Sequence, residues 1–272
     1  MMMRTRSLAA LAAALSACAP AWAASGWATH GELGLVMARG VTTTQSGDIK
    51  LDAAHAVGRW ILSAGMAALY ASTNHITTQQ DTNAHLQGDL ALSKHTFWFG
   101  TGRWDRNLFD GFAYQESLAT GLGRVFVHSH STQLTAELGG GFRREQPELL
   151  VTNSLGAVTS RTRQSVVDEA VLHAALQYSH AITHSTRLKD QLLVESGSSD
   201  TMTSDNLSLQ VKMNTALALA VGMQLVNNTN PPPGDARHTD TVMTVNLVYD
   251  FKNAKLAASP ASNGLFDSLN MP

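Results

Sequence analysis

Charge is scarce in this chain: acidic and basic side chains make up 15% of its 272 residues, and the formal net charge is −2. No basic run occurs, and without one there is no electrostatic footprint for a phosphate backbone, so nucleic acid is not an expected partner. Cysteine is reduced to Cys18. If the chain is cleaved beyond that position, disulfide scaffolds and cysteine-based metal or nucleophile sites are excluded. After the N-terminus no apolar run approaches the roughly 20 residues that a transmembrane helix needs. Catalytic signatures are missing as well: there is no G-x-S-x-G elbow, P-loop, H-E-x-x-H or EF-hand loop. Eleven histidines and many serines leave a Ser-His-acid triad open on spacing alone, but the expectation is a protein without catalytic residues or cofactor.

What is present is an alternation. Hydrophobic residues reach 44%, yet mean hydropathy is −0.07 because Thr, Ser, Asn and Gln dilute them, a mixture that suits half-greasy strands. The first 23 residues read as a secretory signal, with Arg4 and Arg6 before an apolar stretch and Ala21-Trp22-Ala23 as a cleavage site. Leu15-Ser16-Ala17-Cys18 also resembles a lipobox, so lipidation of Cys18 stays open beside simple cleavage. From about Trp27 the period is two: Trp60, Leu62, Ala64, Met66, Ala68 and Tyr70 form one face, and Leu217, Leu219, Val221, Met223 and Leu225 another. The last such stretch, Met243, Val245 and Leu247 with Tyr249 and Phe251, ends at 251. About twelve strands of roughly ten residues result, the length of a tilted membrane strand.

The connections alternate between long and short. Long polar ones are expected at 40–46, 71–82, 107–111, 146–163, 196–202 and 227–238, and short ones at 58–59, 93–95, 128–130, 180–185 and 214–215. Transmembrane barrels sort their loops this way, and a soluble two-sheet sandwich, the competing fold, has no reason to. The expectation is therefore an all-β, antiparallel up-and-down transmembrane barrel over 24–251, with a periplasmic tail at 252–272. Trp27, Trp60, Tyr70, Phe97, Phe142, Tyr178, Tyr249 and Phe251 fall near strand ends, as interfacial aromatic girdles do.

Some positions resist the pattern. Asp190 sits on the greasy face between Leu188 and Leu192, where a charge is unfavourable, and a bulge or register shift would rescue it. Neither face of 97–106 is clearly apolar. Gly139-Gly140-Gly141 lies inside a strand and opens no helix, so it relieves crowding in the wall or marks a bulge. The pairs His128/His130 and His180/His184 bracket short turns without nearby carboxylate or cysteine, and the expectation there is solvated turn residues and no metal.

If the greasy face meets lipid, the inward candidates are Glu32, Lys50, Asp52, Asp89, Glu137, Arg143, Glu169, Arg187, Lys189, Glu195, Lys212 and Asp250. Both signs are interspersed, which argues against strong ion selectivity. Twelve strands lie between barrels filled by side chains and those with an aqueous channel, so the charges are either paired filling or the lining of a narrow pore.

Three stretches, 31–60, 103–126 and 227–251, together resemble the salt-induced outer-membrane proteins of domain-of-unknown-function family 481, most specifically through the Pro-Pro loop, the following Thr-Asp-Thr and the closing Leu-Val-Tyr-Asp-Phe. The resemblance implies a Gram-negative outer-membrane barrel, porin-like and uncharacterised, and it supplies no catalytic residues. It departs at Gly40-Val41-Thr42, where the family tends to Gly-Asn-Thr, and at the twenty or so residues after Phe251, where such chains usually end on the aromatic that the barrel-assembly machinery reads. The functional expectation is a monomeric barrel in outer-membrane lipid, either a narrow pore for small solutes or an envelope protein under osmotic stress. The alternatives are a non-conducting structural or adhesive barrel acting through 146–163 and 227–238, and a barrel hydrolase.

Overall fold

The computed structural model describes residues 27–39, 43–74, 76–108, 111–152, 158–231 and 238–251. The expected signal segment at 1–23, Cys18 and the expected tail at 252–272 lie outside the described residues. The strands are β1 (Trp27–Arg39), β2 (Thr43–Val57), β3 (Trp60–Thr73), β4 (Ile76–Ala91), β5 (Thr96–Asn107), β6 (Phe112–His128) and β7 (Thr132–Thr152). They continue with β8 (Val158–Arg163), β9 (Val167–Ala181), β10 (Thr186–Ser196), β11 (Thr201–Lys212), β12 (Leu217–Asn228) and β13 (Thr239–Phe251). Every pairing is antiparallel between neighbours, and β1 closes on β13 from Thr29↔Phe251 to Leu33↔Leu247. β8 is a fold-back of the upper end of β7, which lower down pairs with β9, so the closed ring has twelve strands. Closure leaves no edge in the ring and satisfies each backbone group within the wall, as hydrocarbon requires.

The exterior decides the environment. Met243 is 77% exposed, Leu118 67% and Leu86 65%, among a belt of outward Leu, Val and Met that continues around the ring. Monomeric soluble proteins do not present an apolar surface of that extent to water. Trp60 and Tyr70 stand ten residues apart on the outer face of β3, about 33 Å along a strand, and a tilt of roughly 40° reduces this to about 25 Å, the height of a barrel's apolar band. Above the band on β7 and β9, Arg144 donates to both oxygens of Asp168 at 2.7 and 3.0 Å. These hydrogen bonds hold the exposed Asp168 carboxyl below its ordinary range.

The loops are shorter than their composition suggests. β3 and β4 are joined through residues 74–75 alone, and 146–163 is mostly paired strand. Once a strand rises above the apolar band it needs no greasy face, so the period-two signal fades, while its backbone groups still require partners and keep the ladder going. Turns at the opposite end are tight: Gly58, at φ 61°, takes the first position of the two-residue β2–β3 turn, where a primed turn demands a positive φ.

Gly139 and Gly141 face inward next to Gly121 across β6 and β7. A Cβ on Gly121 would run into the backbone of Leu138 and Gly139, and one on Gly139 into that of Thr120 and Gly121, whereas Gly140 faces open space. The register is continuous there, so the glycines relieve crowding between β6 and β7 and do not mark a bulge. Gly121→Val is expected to abolish the heat-modifiable folded band on gels, while Gly140→Val leaves it, because overpacking the first position costs about 1–3 kcal/mol or more.

No register shift rescues Asp190. β10 pairs regularly through Asp190↔Tyr178 and Asp190↔Leu207, which leaves its side chain on the outer face. Asp205, also outward, stands diagonally beside it across the β10–β11 register, through Asp190↔Leu207 and Leu192↔Asp205. Converting both to leucine is expected to stabilise the barrel by about 1–2 kcal/mol, since lipid-facing acids are unfavourable. Urea titration of the protein folded in vesicles checks this; a lower midpoint would mean that the pair holds the wall together.

Candidate functional site

The strands bring one face of each ladder into the lumen, and near the end bearing the tight turns all twelve ring strands contribute a buried inward residue. An apolar arc runs through Ala28, Ala54, Ile61, Ala91, Phe97 and Val125, from β1 to β6. A polar arc of Gln133, Ser179, Arg187 and Gln210 follows on β7 and β9–β11, and Ala218 and Val248 close the circle. Phe97 and Phe99 pack with Ala28, Ala54, Ile61, Ala119 and Val125 as one cluster, and the Phe99 ring lies 5.4 Å from the His173 ring on β9. Together these side chains form a floor.

Phe97 therefore corrects a sequence expectation. It is 2% exposed and points into the lumen, its ring over Gly123, where a Cβ would collide with it. Trp98, outward and edge-on to Trp60 at 6.1 Å, takes its place in the girdle. Trp27, stacked on His55, and Tyr178, stacked on His180, face outward near the tight turns, as Tyr249 does; Phe142 is outward one pair below the Arg144–Asp168 bridge. Phe251 is placed by its backbone opposite Thr29, and its side chain lies outside the described residues. Sequence reasoning passed over Trp98 because β5 is apolar on both faces at the floor. The tryptophans at 98 and 104, on the same face of one strand, were the available signal.

Above the floor the lumen divides into two halves. On the β5–β11 side charges are packed against each other. Arg143, with a side chain 1% exposed, donates to Glu169 from Nε at 3.1 Å, pairs with it again through Nη2, and donates to the Asp200 carbonyl at 2.9 Å. Glu145 and the Asp200 carboxylate each stand 3.6 Å from the guanidinium. Glu169 also accepts from the Ser199 backbone and hydroxyl at 2.9 and 2.8 Å, and Asp200 from Thr229 and Asn230 at 3.0 and 2.8 Å. The two upper loops are thereby tied to the wall. Lower down, Glu195 meets His173 at 3.3 Å, and Gln87 bridges Asp89 at 3.0 Å and Glu137 at 3.1 Å across the lumen.

The other half, walled by β1–β4 and β9–β13, encloses a cavity of about 310 Å³. One wall bears Glu32, Asp48, Lys50, Asp52 and Asp81; the facing wall bears Lys189 and the amides Gln177, Gln191, Asn206 and Gln224. Lys50 sits 3.5 Å from Asp52, and Glu32 takes His30 at 2.8 Å and Asn246 at 3.2 Å. Of the inward candidates, Glu32, Lys50, Asp52 and Lys189 line this cavity. Asp89, Glu137, Arg143, Glu169 and Glu195 belong to the packed half and Arg187 to the floor. Lys212 and Asp250 share the inward register near the floor through Lys212↔Ala218 and His30↔Asp250, with the Asp250 side chain outside the described residues. Asp81 was missed because 71–82 read as loop, and Asp48 because it precedes Ile49, where the alternation of that strand first becomes legible. Among the described residues no three metal-ligating side chains converge.

A family model for proteins of unknown function, DUF481, matches residues 31–251. The chain belongs to the DUF481 family. A curated relative, the uncharacterized protein YdiY of Escherichia coli (strain K12), is 23% identical over 158 residues, which cover 58% of this chain and 57% of that protein. The matched stretch is under two thirds of that relative's length. Among solved structures, this DUF481 chain is similar to the translocator domain of the autotransporter NalP from Neisseria meningitidis, at 15% identity and a TM-score of 0.42, covering 90% of this chain and 98% of that one. It is also similar to an outer-membrane channel from Pseudomonas putida F1, at 13% identity and a TM-score of 0.46, with 84% and 96% covered. The NanC porin gives 9% identity and a TM-score of 0.45, with 83% and 100% covered.

Proposed function

We propose that this DUF481 protein is a monomeric barrel of the bacterial outer membrane, exported by its N-terminal signal and inserted by the barrel-assembly machinery, that takes small polar solutes into its lumen. The observation that carries the proposal is the asymmetric filling: one half is packed with paired charges, while the other keeps a cavity above the floor in which carboxylates, lysines and amides stand among alanines. Water in the cavity is exchanged for amide and carboxylate partners as a solute enters, and passage across requires the floor to yield. Four carboxylates, Glu32, Asp48, Asp52 and Asp81, face the cavity against two ammonium groups, Lys50 and Lys189. The pathway therefore favours cations over anions.

Reconstitution into a planar bilayer under a KCl gradient tests this. Small steps with a reversal potential on the potassium side are expected; a reversal potential on the chloride side overturns the selectivity, and silent bilayers at every voltage overturn the pore. The continuous floor favours a second reading, a non-conducting barrel that acts through the β7–β8 hairpin and the β12–β13 loop. Silent bilayers from demonstrably folded protein would leave that reading standing.

A further inference from the structure

The up-and-down topology gathers five turns at one end, and adjacent ones are stitched into a continuous arc. Arg59 in the β2–β3 turn donates to the carbonyls of Ala91 and Leu92 beside the β4–β5 turn. Val125 N–H donates to His95 O at 2.8 Å, Ala181 N–H to Ser131 O at 2.7 Å and Lys212 N–H to Ser185 O at 2.7 Å. The arc has one sign of charge. Residues 57–60, 91–96, 124–132, 180–186 and 211–217 contain no carboxylate, yet they hold Arg59, Lys94 and Arg124, the inward-register Lys212 and five histidines. Of the nearest acids, Asp52, Asp89 and Asp250 belong to the inward register of their strands, and Asp190, on the outer face, stands four residues up β10 from its turn, within the apolar band beside Asp205. Beyond Phe251 the sequence continues with Lys252 and Lys255 and has no acid before Asp267. The opposite end is mixed, with Glu116, Arg144 and Asp168 outward and Glu148 between Arg161 and Arg163.

We propose that this rim binds the phosphate headgroups of anionic phospholipid in the leaflet on its side of the membrane. Depth supports the lipid over a soluble partner. Arg124 lies on the outer face with its guanidinium 5.9 Å from the Phe126 ring, level with the girdle of Trp60, Trp98 and Tyr178, which is where headgroups sit. Lys94 and His95 are exposed in the adjoining turn, and His128 and His130 in the next. A phosphate held there meets a cation from Arg or Lys and N–H donors from the imidazoles, and it encounters no competing carboxylate. The inference is independent of conductance, because it concerns the outside of the rim.

Spin-labelled lipid exchange on the full-length protein, in vesicles of phosphatidylcholine with a minority of phosphatidylglycerol, tests it. Labelled phosphatidylglycerol is expected to associate with the wild-type barrel roughly fivefold more strongly than labelled phosphatidylcholine, as one well-placed basic side chain at a membrane surface provides. In the double variant Lys94→Gln, Arg124→Gln the ratio falls towards parity. Arg106, exposed at the far end of β5 opposite Thr82, serves with Arg144 as the control: Arg106→Gln with Arg144→Gln removes the same charge from the opposite end and leaves the ratio unchanged. The heat-modifiable gel band checks that each variant is folded. Equal association in the wild type overturns the proposal, as does a preference that survives the Lys94/Arg124 variant or follows Arg106 and Arg144. A wild-type rim that ignores phosphatidylglycerol but captures soluble polyglutamate overturns it in favour of an acidic polymer.

Discussion

Removing both phenyl rings from the floor, with Phe97→Ala and Phe99→Ala together, is expected to raise the conductance of the reconstituted barrel well above that of the wild type. The two rings are fully buried in the lumen, one over Gly123 and the other reaching His173 three strands round the ring, so they make up the bulk of the floor on that side. A buried aromatic ring occupies about 150–250 Å² of contact surface, and truncating two adjacent ones leaves a gap beside Asp89, which pairs with Phe99, and Glu137, which pairs with Gly123 under the Phe97 ring. Polar borders of that kind hydrate the gap, where an apolar cavity would stay dry. Each truncation should destabilise by about 3–5 kcal/mol, so the variant is compared as folded protein. Phe126→Ala removes a ring from the outer face and should leave conductance as it was. A folded double variant with wild-type conductance would show that the floor is not the constriction, and the pathway would have to be sought elsewhere.

Arg143→Met should cost the barrel about 3–5 kcal/mol, the loss expected when one partner of a buried ionic network is removed and its counter-charges are left without compensation. Glu169, Glu145 and Asp200 all depend on that guanidinium, and through Asp200 so does the tether from the β10–β11 loop to Thr229 and Asn230. The upper loops should therefore become protease-sensitive as the urea midpoint falls. Arg144→Met, one residue along, breaks an exposed bridge to Asp168 and should lower the midpoint only slightly, because such pairs are screened by water. If the two variants behave alike, the packed half of the lumen contributes nothing to stability. Asp168, whose carboxyl is held low by Arg144, would add a small stabilisation at neutral pH that is lost as pH falls through its lowered folded value.

Much of the wall was legible because one physical constraint writes itself on every strand. A residue facing lipid must be apolar and its neighbour need not be, so Met243, Val245 and Leu247 announce both a strand and its outer face. The same constraint explains the errors. At 71–82 and 146–163 the strands have left the lipid, so alternation ceases although pairing does not. At 97–99 the lumen itself is apolar, so Phe97 and Trp98 look equivalent although one faces inward and the other outward. Asp190 looked like a register fault because its neighbour, Asp205, is fifteen positions away in sequence and comes alongside only through the β10–β11 register.

By itself, then, the alternation of side chains determined the barrel class, the approximate number of wall strands and most of the membrane-facing set, because period two is a property of a single strand. Which inward charges meet was decided by tertiary structure alone. Arg143 and Glu169 share a cluster, Lys50 and Lys189 face one another across a cavity, and Phe99 reaches His173, because closure of the ring brings together residues from strands far apart in sequence. The basic rim arises in the same way. Five turns spread over about 160 positions become one surface only when every second connection lies at the same end of the barrel.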